Sequence, residues 1–145
     1  MERSSIEGSF VLDSSVIIKW FCEEEDTILS LKFRAGYTKG TTTIALPDLL
    51  IYEIANSLRY NKKLSEKDVK DSINSIMAMN LDILVPTKNV VESAISIAFE
   101  YDITIYDAYF IALAKELKYT FVTADEKLYE KTKKLNFVKS LKDFS

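Results

Sequence analysis

The chain has 145 residues, 48% hydrophobic and 28% charged, which places it among ordinary globular proteins with one domain long enough to bury a core without disulfides or metal staples. It contains no histidine and one cysteine, Cys22. Ser-His-Asp and Cys-His nucleophilic sites and histidine-based ribonuclease chemistry are therefore excluded within the chain, zinc is disfavoured, and any metal site must use oxygen ligands of the kind that suit magnesium, manganese or calcium.

Residues 1–9, MERSSIEGS, are polar and without periodicity, and are expected to be a disordered leader preceding a single domain over 10–145. They lack the apolar core of a signal peptide, no apolar run approaches the ~20 residues of a membrane span, and Cys22 has no partner. The expected compartment is the reducing cytoplasm, with no membrane association.

Phe10, Val11 and Leu12 predict a short buried strand that ends abruptly in a carboxylate, Asp13. Asp13, Ser14 and Ser15 precede a helix predicted near Val16 and supply capping side chains. Asp13 thus reads either as a helix cap or as a site residue at the carboxyl end of a strand, the edge where ligands bind in open α/β sheets. An acidic turn over 23–26 and a short helix ending near Gly36 follow. Residues 42–45 predict the second strand, and Pro47 is placed to open a helix through about Tyr60. Leu50, Ile51, Ile54 and Leu58 form the apolar arc of that helix. Glu53 falls between Leu49 and Leu50 rather than with Asp48, Tyr52 and Arg59, and a carboxylate on an inward face needs a cationic partner or a metal.

Ser65 is placed to cap a helix, SEKDVKDSINSIMAMN, with an apolar stripe of Val69, Ile73, Ile76 and Met77, and its first-turn acids suit the helix dipole. A strand over 82–86 and a helix capped by Thr87, with Val91, Ala94, Ile95 and Ala98 as apolar positions, come next. In TIYDAYFIALAKEL, Tyr106, Phe110, Leu113, Ala114 and Leu117 mark one side of a helix. Asp107 lies at the edge of that side, open to reading as a first-turn dipole partner or as a third inward acid. A strand over 120–123 ends at Ala124 and Asp125, a basic helix follows, and 137–141 predicts a last strand. The alternation of strands and helices argues for one three-layer α/β/α domain with a mostly parallel central sheet.

Each acid alone has an ordinary structural explanation, but two stand at strand carboxyl ends and two on inward helix faces. If they converge, each charged pair at ~4 Å repels by about 4 kcal/mol at an effective dielectric of 20. Such a cluster calls for a divalent cation, and magnesium or manganese there supplies the means for phosphodiester hydrolysis without histidine.

With these residues in view, FVLDSSVIIKWF, PDLLIYEIANSLRY, TIYDAYFIALAKEL and TFVTADEKL resemble, in order and spacing, the successive motifs of PIN-domain ribonucleases, especially the VapC-type toxins of toxin–antitoxin pairs. The resemblance runs from residue 10 to about 141. It implies that Asp13, Glu53, Asp107 and Asp125 are the catalytic, metal-binding quartet and that Thr123 is the hydroxyl residue accompanying the last Asp. It also implies a PIN-like parallel sheet flanked by helices, magnesium- or manganese-dependent cleavage of RNA, homodimers, and inhibition by a cognate antitoxin.

The net charge is −3, but setting aside the quartet leaves 18 of the 22 acids against 19 Lys and Arg. RNA contact would fall to local cations beside the motifs, with Lys19, Arg59 and Lys127 the leading candidates and Lys62 and Lys63 behind them, against the alternative of ordinary solvated side chains. Competing readings are a non-catalytic PIN-like module that binds RNA or protein, against which an intact quartet argues, and a phosphatase or phospho-receiver domain. The phosphatase would want an Asp where Ser15 stands, and the receiver would want paired acids near the first strand.

Overall fold

The computed structural model describes residues 6–145. Among them, five strands form one sheet: β1 (Gly8–Leu12), β2 (Thr42–Pro47), β3 (Asp82–Leu84), β4 (Thr120–Thr123) and β5 (Val138–Ser140). The order across the sheet is β3-β2-β1-β4-β5, and every pairing is parallel. Seven helices connect them: α1 (Ser14–Ile17), α2 (Thr27–Lys39), α3 (Leu49–Arg59), α4 (Glu66–Ala78), α5 (Lys88–Tyr101), α6 (Ile105–Leu117) and α7 (Glu126–Thr132). From β1 the chain winds to one edge through β2 and β3, then returns to the other side of β1 as β4 and β5. Right-handed crossovers then set α1–α4 on one face and α5–α7 on the other.

The central strands are apolar because both faces are covered, as a parallel sheet requires. Val11, Leu12, Ile44, Leu46, Phe121 and Val122 are fully buried. α6 departs from the predicted one-sided pattern, since every residue from Ala108 to Ala114 is buried. It lies between α5 and the central strands, and its alanines allow close approach. Tyr106, expected with that buried side, is instead 62% exposed, and Met77 and Ile95 also remain exposed.

Several boundaries differ from expectation. β1 starts at Gly8, and Ile6 is buried with its carbonyl accepting from the hydroxyls of Thr41 and Thr42 at 3.0 and 2.7 Å. Residues 6–9 of the expected leader thus lead into and begin the central strand, while residues 1–5 lie outside the described residues. Gly36 does not end α2, which runs on to Lys39 and closes at Gly40 in the left-handed region, φ 83°. Gly36 is small for another reason: a Cβ there would collide with the Thr42 hydroxyl and stand 3.1 Å from the Ile6 carbonyl. Pro47 ends β2 rather than opening α3. Ser65 and Thr87 cap α4 and α5 as their sequences predict, Ser65 in a reciprocal capping box with Asp68.

Candidate active site

The winding direction reverses between β1 and β4, so a crevice opens where the chain leaves β1 toward β2 on one side and leaves β4 toward β5 on the other, at the strands' carboxyl ends. Asp13 follows β1 and Asp125 follows β4, both at that edge. α3 brings Glu53 from one face, and the first turn of α6 brings Asp107 from the other. All four acids line one cleft of about 400 Å³, together with Ser14, Ser15, Asn56 and Ser57.

Asp13 occupies an N-cap position but makes no side-chain capping bond. Its Oδ2 instead accepts from the hydroxyls of Ser15 at 2.6 Å and Thr123 at 2.8 Å. Both hydroxyls are oriented in turn, because Ser15 Oγ accepts from the Ala124 N–H at 2.9 Å and Thr123 Oγ1 from the Asp125 N–H at 3.0 Å. Two backbone donors beyond β4 therefore polarise two hydroxyls toward one carboxylate oxygen, an arrangement in which each bond strengthens the next. Parallel pairing makes it possible: Leu12 registers with Val122, and the Asp13 N–H donates to the Val122 carbonyl at 2.9 Å, which sets Asp13 beside Thr123.

Burial pushes the Asp13 carboxyl up to about 6, and the nearby charges of Asp107 and Glu53 push the same way, against the lowering effect of the two hydroxyls. Burial also raises Glu53, opposed by the Ser14 hydroxyl donating to Oε1 at 2.5 Å and reinforced by Asp107. Asp107 is raised by burial and then by the charge of Asp125. Like charges thus meet across the cleft with no cation lining it. Asp125 is exposed and does cap its helix, accepting from the Leu128 N–H at 3.1 Å through Oδ1.

Among the described residues no three acids form a ready-made ion cage. The donor chemistry nevertheless suits a hard divalent cation. Within those residues' hydrogen bonds Asp13, Glu53 and Asp125 each commit one oxygen and keep the other free, so side chains held by the protein still present carboxylate oxygens to the cleft.

The sequence-derived cations fare differently. Lys19 is turned to the acidic loop, donating to the Glu25 carbonyl at 2.7 Å and the Glu24 carboxylate at 3.3 Å. Arg59 stacks over Tyr60 with its guanidinium carbon 5.0 Å from the ring centre, and neither residue lines the cleft. Lys127 lines a cavity that adjoins the cleft. Ser14 and Ser15 were legible only as capping residues, and nothing in sequence spacing marked them as partners of Glu53 and Asp13.

A parallel, doubly wound sheet with four acids gathered at its switch point defines the class of protein. The chain belongs to the PIN domain family, whose family model matches residues 10–134. Among solved structures, the fold is similar to that of a toxin–antitoxin complex from Klebsiella pneumoniae, at 14% identity and TM-score 0.66, covering 90% of this chain and 96% of that one. It is also similar to VapBC2 from Rickettsia felis bound to a DNA fragment from its promoter, at 13% identity and TM-score 0.67, covering 91% and 98%. A third is VapC20 of Mycobacterium tuberculosis, a toxin that cleaves the sarcin–ricin loop, at 10% identity and TM-score 0.65, covering 85% and 95%. No curated protein matches the sequence.

Proposed function

We propose that this chain is a divalent-metal-dependent endoribonuclease and the toxin of a toxin–antitoxin pair. The observation that carries the reading is the convergence of Asp13, Glu53, Asp107 and Asp125 on one cleft at the switch point of a PIN domain. Structural likeness to the Klebsiella toxin–antitoxin complex and to the sarcin–ricin loop-cleaving toxin supports the biological setting.

In this reading the four carboxylates hold magnesium or manganese, which when bound lowers the pKa of a water and offsets charge on the leaving oxygen. The chain's own residues set the stage. Thr123 and Ser15 hold Asp13 through one oxygen and so fix where the other points; Ser14 does the same for Glu53. Asp125 is pinned by its capping bond at the mouth of the cleft. A scissile phosphate drawn over these groups meets side chains already oriented, so less reorganisation is left for the reaction step.

The partner is a cognate antitoxin, and the active form is a homodimer. An apolar groove lined by Leu49, Tyr52, Pro86, Val91, Ile105 and Tyr106 supports a protein partner, since Tyr52 is 73% and Tyr106 62% exposed. The groove borders α3, the helix that carries Glu53, so an antitoxin helix seated there reaches the cleft with an Arg or Lys.

The test is cleavage of total RNA and of structured RNAs by the purified chain in magnesium, manganese or chelator. Cutting is expected with either ion and none with chelator. A chain that cuts no RNA in any ion, or cuts equally in chelator, refutes the reading.

A further inference from the structure

The acidic cleft does not stop at Asp107 and Asp125. Both also line a second cavity, of about 490 Å³, between the α5–α6 turn and α7. Lys127 and Lys131 line it too, four residues apart on α7 and hence on one helical face. No cation lines the acidic cleft itself, whereas this adjoining cavity sets the two lysines beside the carboxylates of Asp102, Asp107 and Asp125.

Their present partners differ. Lys131 donates to the Asp102 carbonyl at 2.7 Å and stands 3.8 Å from the exposed Asp102 carboxylate, bracing the end of α5. Asp102 there adopts the left-handed conformation, φ 54°. Lys127 is exposed and enters none of the ion pairs among the described residues, although Asp107 and Asp125 line the same cavity.

We propose that this second cavity is a phosphate subsite, in which Lys127, backed by Lys131, holds a backbone phosphate next to the one presented to the four acids. The proposal rests on the nuclease reading and deepens it by giving the RNA strand a path along α7. One divalent ion offsets only part of the charge of four carboxylates, so a polyanionic strand crossing the cleft still needs a flanking phosphate held by positive charge. Lysine serves as a compact point charge, so the contact positions the strand without reading its bases.

The experiment measures binding apart from cleavage. Anisotropy of a short fluorescein-labelled single-stranded RNA is recorded in calcium over a salt series, with its integrity checked on a gel, and cleavage kinetics are taken separately in manganese. Lys127→Ala is expected to weaken binding several-fold. The Lys127→Ala/Lys131→Ala double variant should also flatten the slope of log affinity against log salt by about 0.7, the figure for one phosphate contact on a single strand. Lys127→Arg should restore the affinity. In manganese, Lys127→Ala should raise KM with kcat little changed, the signature of a lost binding contact. Lys131→Ala alone can loosen the α5–α6 turn, so Lys127→Ala, which removes no ion pair among the described residues, carries the test.

The remote pair Lys67 and Lys70 on α4, bridged to Asp71 and Glu66, is the control, and Lys67→Ala/Lys70→Ala should bind as the parent does. Parental affinity and slope in the Lys127 variants, an equal loss in the α4 control, or no RNA binding by the parent in calcium would each overturn the subsite. Lys127-dependent binding by a chain that cuts no RNA in manganese or magnesium keeps the subsite and refutes the nuclease reading. Normal cleavage with unchanged KM in Lys127→Ala refutes the subsite alone.

Discussion

Asp13 is held by hydroxyls on one oxygen and has a carboxyl raised to about 6 from the ordinary 3.8. The folded chain keeps a proton that the unfolded chain gives up between those values. The stability this confers is therefore full below 3.8 and lost as pH climbs to about 6, on the order of 3 kcal/mol in all. Glu53 and Asp107, raised for the same first reason, act in the same direction. Asp13→Asn keeps an oxygen able to accept both hydroxyls, so in chelator at pH 7 it should melt several degrees above the parent. Its melting temperature should also depend less on pH between 4 and 6, as calorimetry in chelator would show. RNA cleavage and the manganese-induced rise in melting temperature should both collapse, because a neutral amide is a poor ligand for a hard cation. A variant that keeps the parental pH profile and full activity would return Asp13 to a structural role. Thr123→Val removes one of the two donors and orphans the Asp125 N–H, and urea melts should show a loss of about 1–3 kcal/mol. At this scale the four acids were legible because each interrupts an apolar pattern. Ser14 and Ser15 were not, because a serine before a helix satisfies the capping rule before any partner across the sheet is known.

The elements follow from pattern where one face is buried and depart from it where packing decides. β1, β2 and β4 announce themselves through the short apolar or β-rich stretches 10–12, 42–46 and 120–123, and the caps of α4 and α5 follow from Ser65 and Thr87. The extent of α2 was misread because glycine suggests a helix end, whereas Gly36 answers to the closeness of Thr42 and Ile6 in the neighbouring strand and lead-in. Gly36→Ala tests that account. Helix propensity alone favours alanine by about 1 kcal/mol, but the collision with β2 should outweigh it and leave a net loss of about 1–3 kcal/mol by urea denaturation. A stabilised Gly36→Ala variant would show that α2 can move away from β2 freely. The N-terminal residues were misassigned for the same reason: Ile6 and Gly8 carry no periodic signal, and only pairing with β2 gives them a place.

At the scale of the molecule, a cation that binds only the folded cleft must stabilise the fold by mass action, by about 2.7 kcal/mol at a hundredfold excess over the dissociation constant, and so raise the melting temperature. The rise should be larger at pH 8 than at pH 5, because the raised carboxyls must first lose their protons. An equal shift at both pH values, or none, would count against carboxylate ligation. The groove beside α3 carries the companion prediction that co-expression with the adjacent reading frame yields a complex and suppresses RNA cleavage. Recovery of this chain alone, still fully active, would argue against an antitoxin. The sheet order has a further consequence, in time rather than space. Thr123 meets Asp13 across 110 residues of chain, and β1 has no neighbour on that side until β4 exists. On the ribosome, the cleft therefore cannot form until synthesis has passed Asp125, so no shorter nascent chain holds the four acids together.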